Sequence, residues 1–235
     1  MSAIDTSTPD GPQAGGGLTE NKSRWENYTH GHHWRNAEDE FDSAKFGMWL
    51  FLSTEVLLFA GIFVGYALLR MKHPEAFING SAYLDVKWGL INTVVLLISS
   101  FTVAMAVRCA QLNQQLWLKI NLIITLICAA GFFCIKIFME YIPKWSEGKR
   151  PGILFDYPYA GDPHEPLWWG LYYCATGVHA LHVIIGGGLL LWVLVRSYKG
   201  IYGPKNYAMV ETSGLYWHLV DLVWIFLFPL LYLIH

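Results

Sequence analysis

The sequence predicts an all-α integral membrane protein, a bundle of five transmembrane helices carrying a polar N-terminal arm. Three observations predict it. Hydrophobic residues make up 54% of the 235-residue chain and charged residues 14%, against the ~25% charged residues of an ordinary soluble domain. Twelve of the 34 acidic and basic residues fall within residues 1–45. The remainder holds five apolar runs, each close to the ~20 residues that a bilayer span requires. Together these exclude a soluble globule and a disordered chain. They also exclude a nucleic-acid partner, which calls for a basic field; the net charge of −2 carries little information.

Residues 1–45 read as the arm. Its first 24 residues are rich in Ser, Thr, Pro and Gly and are expected to be disordered. No cleavable signal peptide is expected, because no basic stretch precedes a short apolar core. Residues 46–235 read as the transmembrane domain, with spans at about 47–69, 89–107, 117–139, 167–195 and 211–234. Lipid offers the backbone no hydrogen-bond partners, so spans must be helices or a closed barrel. Continuous apolar runs favour helices, since barrel strands alternate. Trp49, Tyr66, Trp88, Trp117, Tyr141, Trp145, Trp168, Trp169, Tyr198 and Tyr232 cluster near the span ends, as an interfacial aromatic belt does. The 140–166 segment, rich in Pro and Gly, reads as an irregular surface connection. Nine Lys and Arg against seven favour an N-terminus on the cytoplasmic side, with His235 outside. Cys109, Cys128, Cys134 and Cys174 lie in or beside apolar runs without metal spacing and read as small apolar filler.

Ionisable groups inside spans are costly and are functional candidates by default. Glu55 lies eight residues into the first span with no basic residue within a turn. Burial without a cation would favour its neutral form. It reads either as a proton-exchanging or lipid-contacting carboxyl, or as an interhelical hydrogen bond that fixes packing. His179 and His182 share one face of the fourth span. Glu211, Gly214, His218 and Asp221 form one stripe of the fifth. A polar stripe must face protein, so these two helices are expected to pack His against acid, with Gly177 and Gly186 to Gly188 permitting close approach. The same residues admit a metal or haem reading, but a satisfied polar seam is the expectation, with no metal site and no catalytic residue. His30, His32 and His33 read as part of a solvated arm. Lys119 is placed to snorkel, and Lys136 with Glu140 reads as a local helical pair.

Three long motifs carry a resemblance. Residues 47–61, GMWLFLSTEVLLFAG, resemble the first helix of the shared part of cytochrome c oxidase subunit III. Residues 175–186, ATGVHALHVIIG, resemble its next-to-last helix, and residues 211–228, ETSGLYWHLVDLVWIFLF, its last. Glu140 and Tyr141 resemble the pair that ends the helix between them. The resemblance implies an accessory, non-redox subunit of a proton-pumping haem–copper oxidase that passes electrons from cytochrome c to oxygen. The haems and copper then belong to subunit I, and electrons enter through subunit II. It implies contact mainly with subunit I, then with subunit II and small subunits, in a bacterial-type cytoplasmic membrane. It also implies support of proton uptake and protection of subunit I during turnover. Glu55 matches the family's membrane-buried carboxyl. Arg196 matches a basic residue that holds the headgroup of a bound phospholipid. Longer family members have seven helices and bind lipid in a cleft walled by the first two, whereas five are expected here. Five-helix forms also occur among quinol oxidases; Ser53-Thr54-Glu55-Val56 resembles the cytochrome c type. A free-standing haem carrier and a transporter are the remaining alternatives, and the broken, symmetric helices of a transporter are not seen.

Overall fold

The computed structural model describes residues 24–29, 31–32 and 34–234. The expected disorder of the first residues, His30, His33 and the placement of His235 lie outside them. Helix α1 spans Ala37–Lys72. Asn36 starts it by accepting the Asp39 N–H at 2.7 Å. Glu38, Asp39 and Glu40 fill its first turn and Arg70 and Lys72 its last, the order that the helix dipole favours. At 36 residues it is about 54 Å long, well beyond the hydrocarbon thickness. Its N-terminus lies ten residues before the expected start of the span, so residues 37–45 of the expected arm are helical. Hydropathy marks where lipid begins; it cannot mark where a polar helix extends into water.

Helix α2, Pro74–Ala82, follows at once with Pro at its first position. Helix α3, Val86–Gln111, is capped by the Asp85 carboxylate. A tight turn with Asn113 at φ 58° leads into α4, Gln115–Ile135. The chain continues through a π-helical turn, Lys136–Tyr141, into the short α5, Ile142–Ser146. Helices α6, Glu165–Tyr198, and α7, Ala208–Tyr232, complete the bundle. Five of these helical stretches are long and apolar enough to cross a membrane, and no β-strand is present among the described residues. The protein is a multi-pass, all-α membrane protein.

Helix α7 is the most enclosed span. It packs on α1, α3 and α6, while α3 and α4 form a tight hairpin and α4 also meets α6. Helix α1 buries Leu52, Phe59 and Tyr66, a seven-residue spacing that lays one narrow seam on a neighbour. Its other faces expose Phe46, Trp49, Leu57, Val64 and Leu68. Such breadth of exposed apolar surface suits lipid or a partner subunit. The α6–α7 contact uses Gly186, where a Cβ would come within 3.0 Å of Trp217. Gly177, Gly187 and Gly188 have open space instead, so the expected close approach is confined to one glycine.

The 142–164 connection is better built than its composition suggests. Gly148, at φ 86°, admits no side chain because a Cβ would meet the Asp156 carbonyl at 2.4 Å. Lys149 is buried with its ammonium 4.1 Å from the Tyr83 ring and 4.5 Å from that of Tyr157.

At the opposite end the arm is tied down. Trp25 N–H donates to the Gly200 carbonyl at 3.2 Å, and Tyr28 donates to Glu40 at 2.8 Å. Burial and the Glu40 carboxylate push the Tyr28 phenol up to about 12 from its usual 10.0. A raised folded value means that the contribution of this contact is present below pH 10.0 and is lost as pH rises toward about 12. Phenolate absorbance should therefore show a late component near that value, and Tyr28→Phe should diminish it by one tyrosine. An unchanged titration in Tyr28→Phe would show that Tyr28 is not held by Glu40.

Candidate functional site

The α1–α6 crossing brings Glu55 to His182. Glu55 Oε2 lies 2.7 Å from His182 Nε2, and His182 Nδ1 lies 2.8 Å from the Val178 carbonyl. The carbonyl only accepts, so Nδ1 carries the proton. Nε2 then either takes a proton from a neutral Glu55 carboxyl or, protonated, gives one to a carboxylate. Both arrangements hold one shared proton and no net charge. Phe59 at 5.0 Å and Tyr216 at 6.3 Å flank the imidazole. Glu55 is therefore not a carboxyl without a partner, as expected from its own helix alone. Its partner lies 127 residues away in sequence.

The predicted seam between the fourth and fifth spans forms as a helix contact, but its side chains look elsewhere. His182 pairs with Glu55 of α1 and not with an acid of α7. Glu211 pairs with Lys45 of α1 at 2.7 Å. His218 Nδ1 meets the Ser100 hydroxyl of α3 at 2.6 Å, and Ser100 is also the hydrogen-bonding neighbour of Asp221. His179 is buried between Phe132 and Trp224 without a hydrogen-bond partner. The physical reason is α7's central position. Its stripe is wide enough to meet α1 on one edge and α3 on the other, so a His-to-acid match with α6 never arises. Among the described residues, no three His, Cys, Asp or Glu side chains gather as a ligand set.

Arg196 stands in the last turn of α6, half-buried, its guanidinium 5.3 Å over the Trp192 ring. Lys119 sets its ammonium 4.9 Å over the Tyr198 ring.

The residues that sequence reasoning took for an ordinary local pair are Lys136 and Glu140. Both are fully buried, with side-chain exposures of 2% and 1%. The π-helical turn presents them inward together. Lys136 donates to Glu140, to the Tyr172 hydroxyl at 3.1 Å and to the Tyr232 hydroxyl at 2.7 Å. Both tyrosines in turn donate to Glu140 Oε2, at 2.7 and 2.5 Å. All three ammonium protons are therefore used, and each phenol accepts from the cation and donates to the anion. Trp224 at 5.1 Å and Tyr141 at 5.6 Å add cation–π contacts. The sequence held a signal, opposite charges four apart inside an apolar window, but the same spacing describes an exposed pair. Tyr172 and Tyr232, far along the chain, decide between the two.

Comparisons with known proteins agree with this architecture. The family model described as cytochrome c oxidase subunit III matches residues 163–235, which contain α6 and α7. A quinol oxidase subunit 3 of Bacillus subtilis (strain 168) is 30% identical over 187 residues, covering 80% of this chain and 85% of the relative. A cytochrome c oxidase subunit 3 of Synechocystis sp. is 31% identical over 210 residues, covering 87% of this chain and 79% of the relative. A heme-copper oxidase subunit I+III of Aeropyrum pernix is 33% identical over 208 residues. That alignment takes in 86% of this chain but spans only 24% of the Aeropyrum protein's length. With five spans in place and relatives at least 30% identical over four fifths or more of the chain, the chain belongs to the cytochrome c oxidase subunit III family of haem–copper oxidases.

Proposed function

We propose that this chain is the accessory, non-redox subunit III of a proton-pumping terminal oxidase that carries electrons from cytochrome c to oxygen. It docks mainly on subunit I, which holds the haems and copper, and touches subunit II and small subunits. The membrane is of the bacterial cytoplasmic type, with the N-terminus inside. Residues 1–45 form the polar arm in this reading, and the five-span domain of residues 46–235 follows. The subunit supports proton uptake by subunit I and shields it from turnover inactivation. Glu55 is the proton-linked carboxyl, Arg196 holds a phospholipid headgroup, and His179, His182, Glu211, His218 and Asp221 keep the polar interior in register. No residue here is assigned a catalytic role.

The Glu55–His182 pair is the observation that carries this reading. A neutral two-group unit inside a membrane holds one proton at low cost, because the pair never exposes a lone charge to lipid. It stores or passes a proton without redox chemistry of its own.

The test is Glu55→Gln in the assembled oxidase. Haem content should stay at the parent level, while proton uptake falls or the lifetime under turnover shortens. Parent-like inactivation kinetics together with parent-like pumping would defeat the role given to Glu55. Relatives named quinol oxidase subunit 3 align as well as those named for cytochrome c oxidase, so a quinol donor is the second reading. Assaying the complex with reduced cytochrome c and then with quinol separates the two. A Soret band from the isolated chain would instead favour a haem carrier.

A further inference from the structure

Helix α1 ends on a cation held by a phenol rather than by an acid. Arg70 stands in its last turn, half-buried. Its guanidinium donates to the Tyr66 hydroxyl at 3.3 Å. That hydroxyl is itself fixed, donating to the Leu230 carbonyl near the end of α7 at 2.5 Å. Among the described residues no ion pair reaches Arg70. A guanidinium carries five N–H donors in a planar fork, so most of them remain free. An arginine at a span end ordinarily reaches outward into water. Here the bond to Tyr66, one turn back toward the bilayer, draws the head over the helix surface instead.

The surface beneath that head is apolar. Between the ends of α1 and α7 runs an open groove of about 510 Å³, lined by Phe63, Ala67, Met71 and Leu230 beside Tyr66, and joined by Pro74 of α2. Arg70 is its one charged lining residue. The volume falls in the ~300–1,000 Å³ range of small-molecule sites. Phe63 lies seven residues before Arg70, about 10 Å of helix rise. The groove therefore runs from the span end into one leaflet of a bilayer whose hydrocarbon is ~30 Å thick. A ligand that satisfies both parts carries an anion at one end and a hydrocarbon chain behind it. Phosphate oxygens suit the fork, which can hold two of them at once. A soluble anion would leave the groove bare.

We propose that Arg70 and the α1–α7 groove bind one phospholipid, its phosphate on the guanidinium and one acyl chain between Phe63 and Leu230. This site is separate from the one given to Arg196. Arg196 ends α6 close to Gly200, which Trp25 of the arm holds at the N-terminal end of α1. Arg70 stands at the other end of α1 and so meets the opposite leaflet. The inference needs a membrane around the bundle and nothing of the role given to Glu55.

The probe is phosphatidylglycerol carrying a diazirine in its acyl chain, added in detergent to the purified, delipidated oxidase. Detergent disperses loosely held boundary lipid, so only retained probe labels the protein. Illumination should mark the peptides that contain residues 63–71 and Leu230. In Arg70→Gln that labelling should fall about tenfold, the loss expected for a charge-assisted hydrogen bond. Ala67→Trp keeps the arginine, fills the groove and should lower labelling as much. Arg196→Gln should leave it at the parent level. Equal labelling in the parent and in Arg70→Gln overturns the proposal. So does an unlabelled parent, which would mean that a partner subunit covers the groove. Equal loss in Arg196→Gln would mean one shared site and overturns it too. Unlabelled phosphatidylglycerol should compete and inorganic phosphate should not; equal competition by phosphate would reveal an anion site without a tail, which also overturns it. Where Arg70→Gln fails to assemble, Ala67→Trp against the parent decides.

Discussion

Lys136→Met should be the most damaging single substitution among those considered, destabilising the protein by about 3–5 kcal/mol, the cost of stranding one partner of a buried ion pair. Methionine matches the aliphatic stem of lysine, so lost packing is a minor part. What is lost is the cation that holds Glu140, Tyr172 and Tyr232 together. Glu140 Oε1 already has no partner, so Oε2 and its three donors carry the whole burden of solvating the carboxylate. Without Lys136, two phenols must do so alone. Glu140→Gln should cost a similar amount, because it leaves a buried ammonium facing a neutral amide. The double variant Lys136→Met/Glu140→Gln removes both charges and should be less destabilised than the sum of the singles. Denaturant titration of the purified complex, followed by tryptophan fluorescence, measures all three. Single variants within about 1 kcal/mol of the parent, the range of an exposed ion pair, would mean that the cluster is hydrated rather than sealed.

That cluster also shows where sequence reading reaches and where it stops. The spans follow from hydropathy because lipid imposes the same demand on every residue of a run. Glu55 stands out for the same reason, as an acid where acids are expensive. Neither argument identifies a partner. A stripe such as Glu211, His218 and Asp221 says that a helix has a polar side, but the neighbour facing it depends on how five helices are arranged. Lys45 and Ser100 answer those groups from α1 and α3, and nothing local in sequence marks them. The expected His-to-acid match between α6 and α7 fails because adjacency of two helices does not require their polar groups to meet. Lys136 and Glu140 show the opposite failure. Their spacing was visible, but local spacing carries no information about burial. Helix α2 escaped notice as well, being too short to register against a bilayer length.

Gly80→Ala in that short helix is the second large effect. By intrinsic propensity alone, alanine in a helix interior should stabilise by about 1 kcal/mol. The packing reverses the sign. A Cβ on Gly80 would lie 2.0 Å from Trp168 Cδ1 and 2.2 Å from its Nε1. Trp168 has no exposed surface and meets Phe77 at 5.1 Å, and Phe77 in turn meets Tyr66 of α1 at 5.3 Å. The indole has nowhere to retreat, so α2 must lift off α6. Overpacking of this kind costs about 1–3 kcal/mol, and contacts this short belong at its upper end or above. The consequence extends past α2, because Tyr66 donates to the Leu230 carbonyl at the end of α7. Lifting α2 loosens the α1–α7 seam that helps hold Glu55 in place. Thermal unfolding of Gly80→Ala should show the loss, and a Trp168→Leu background should remove it, since leucine vacates the space that the new methyl needs. If Gly80→Ala remains equally destabilising beside Trp168→Leu, the clash with the indole is not the cause.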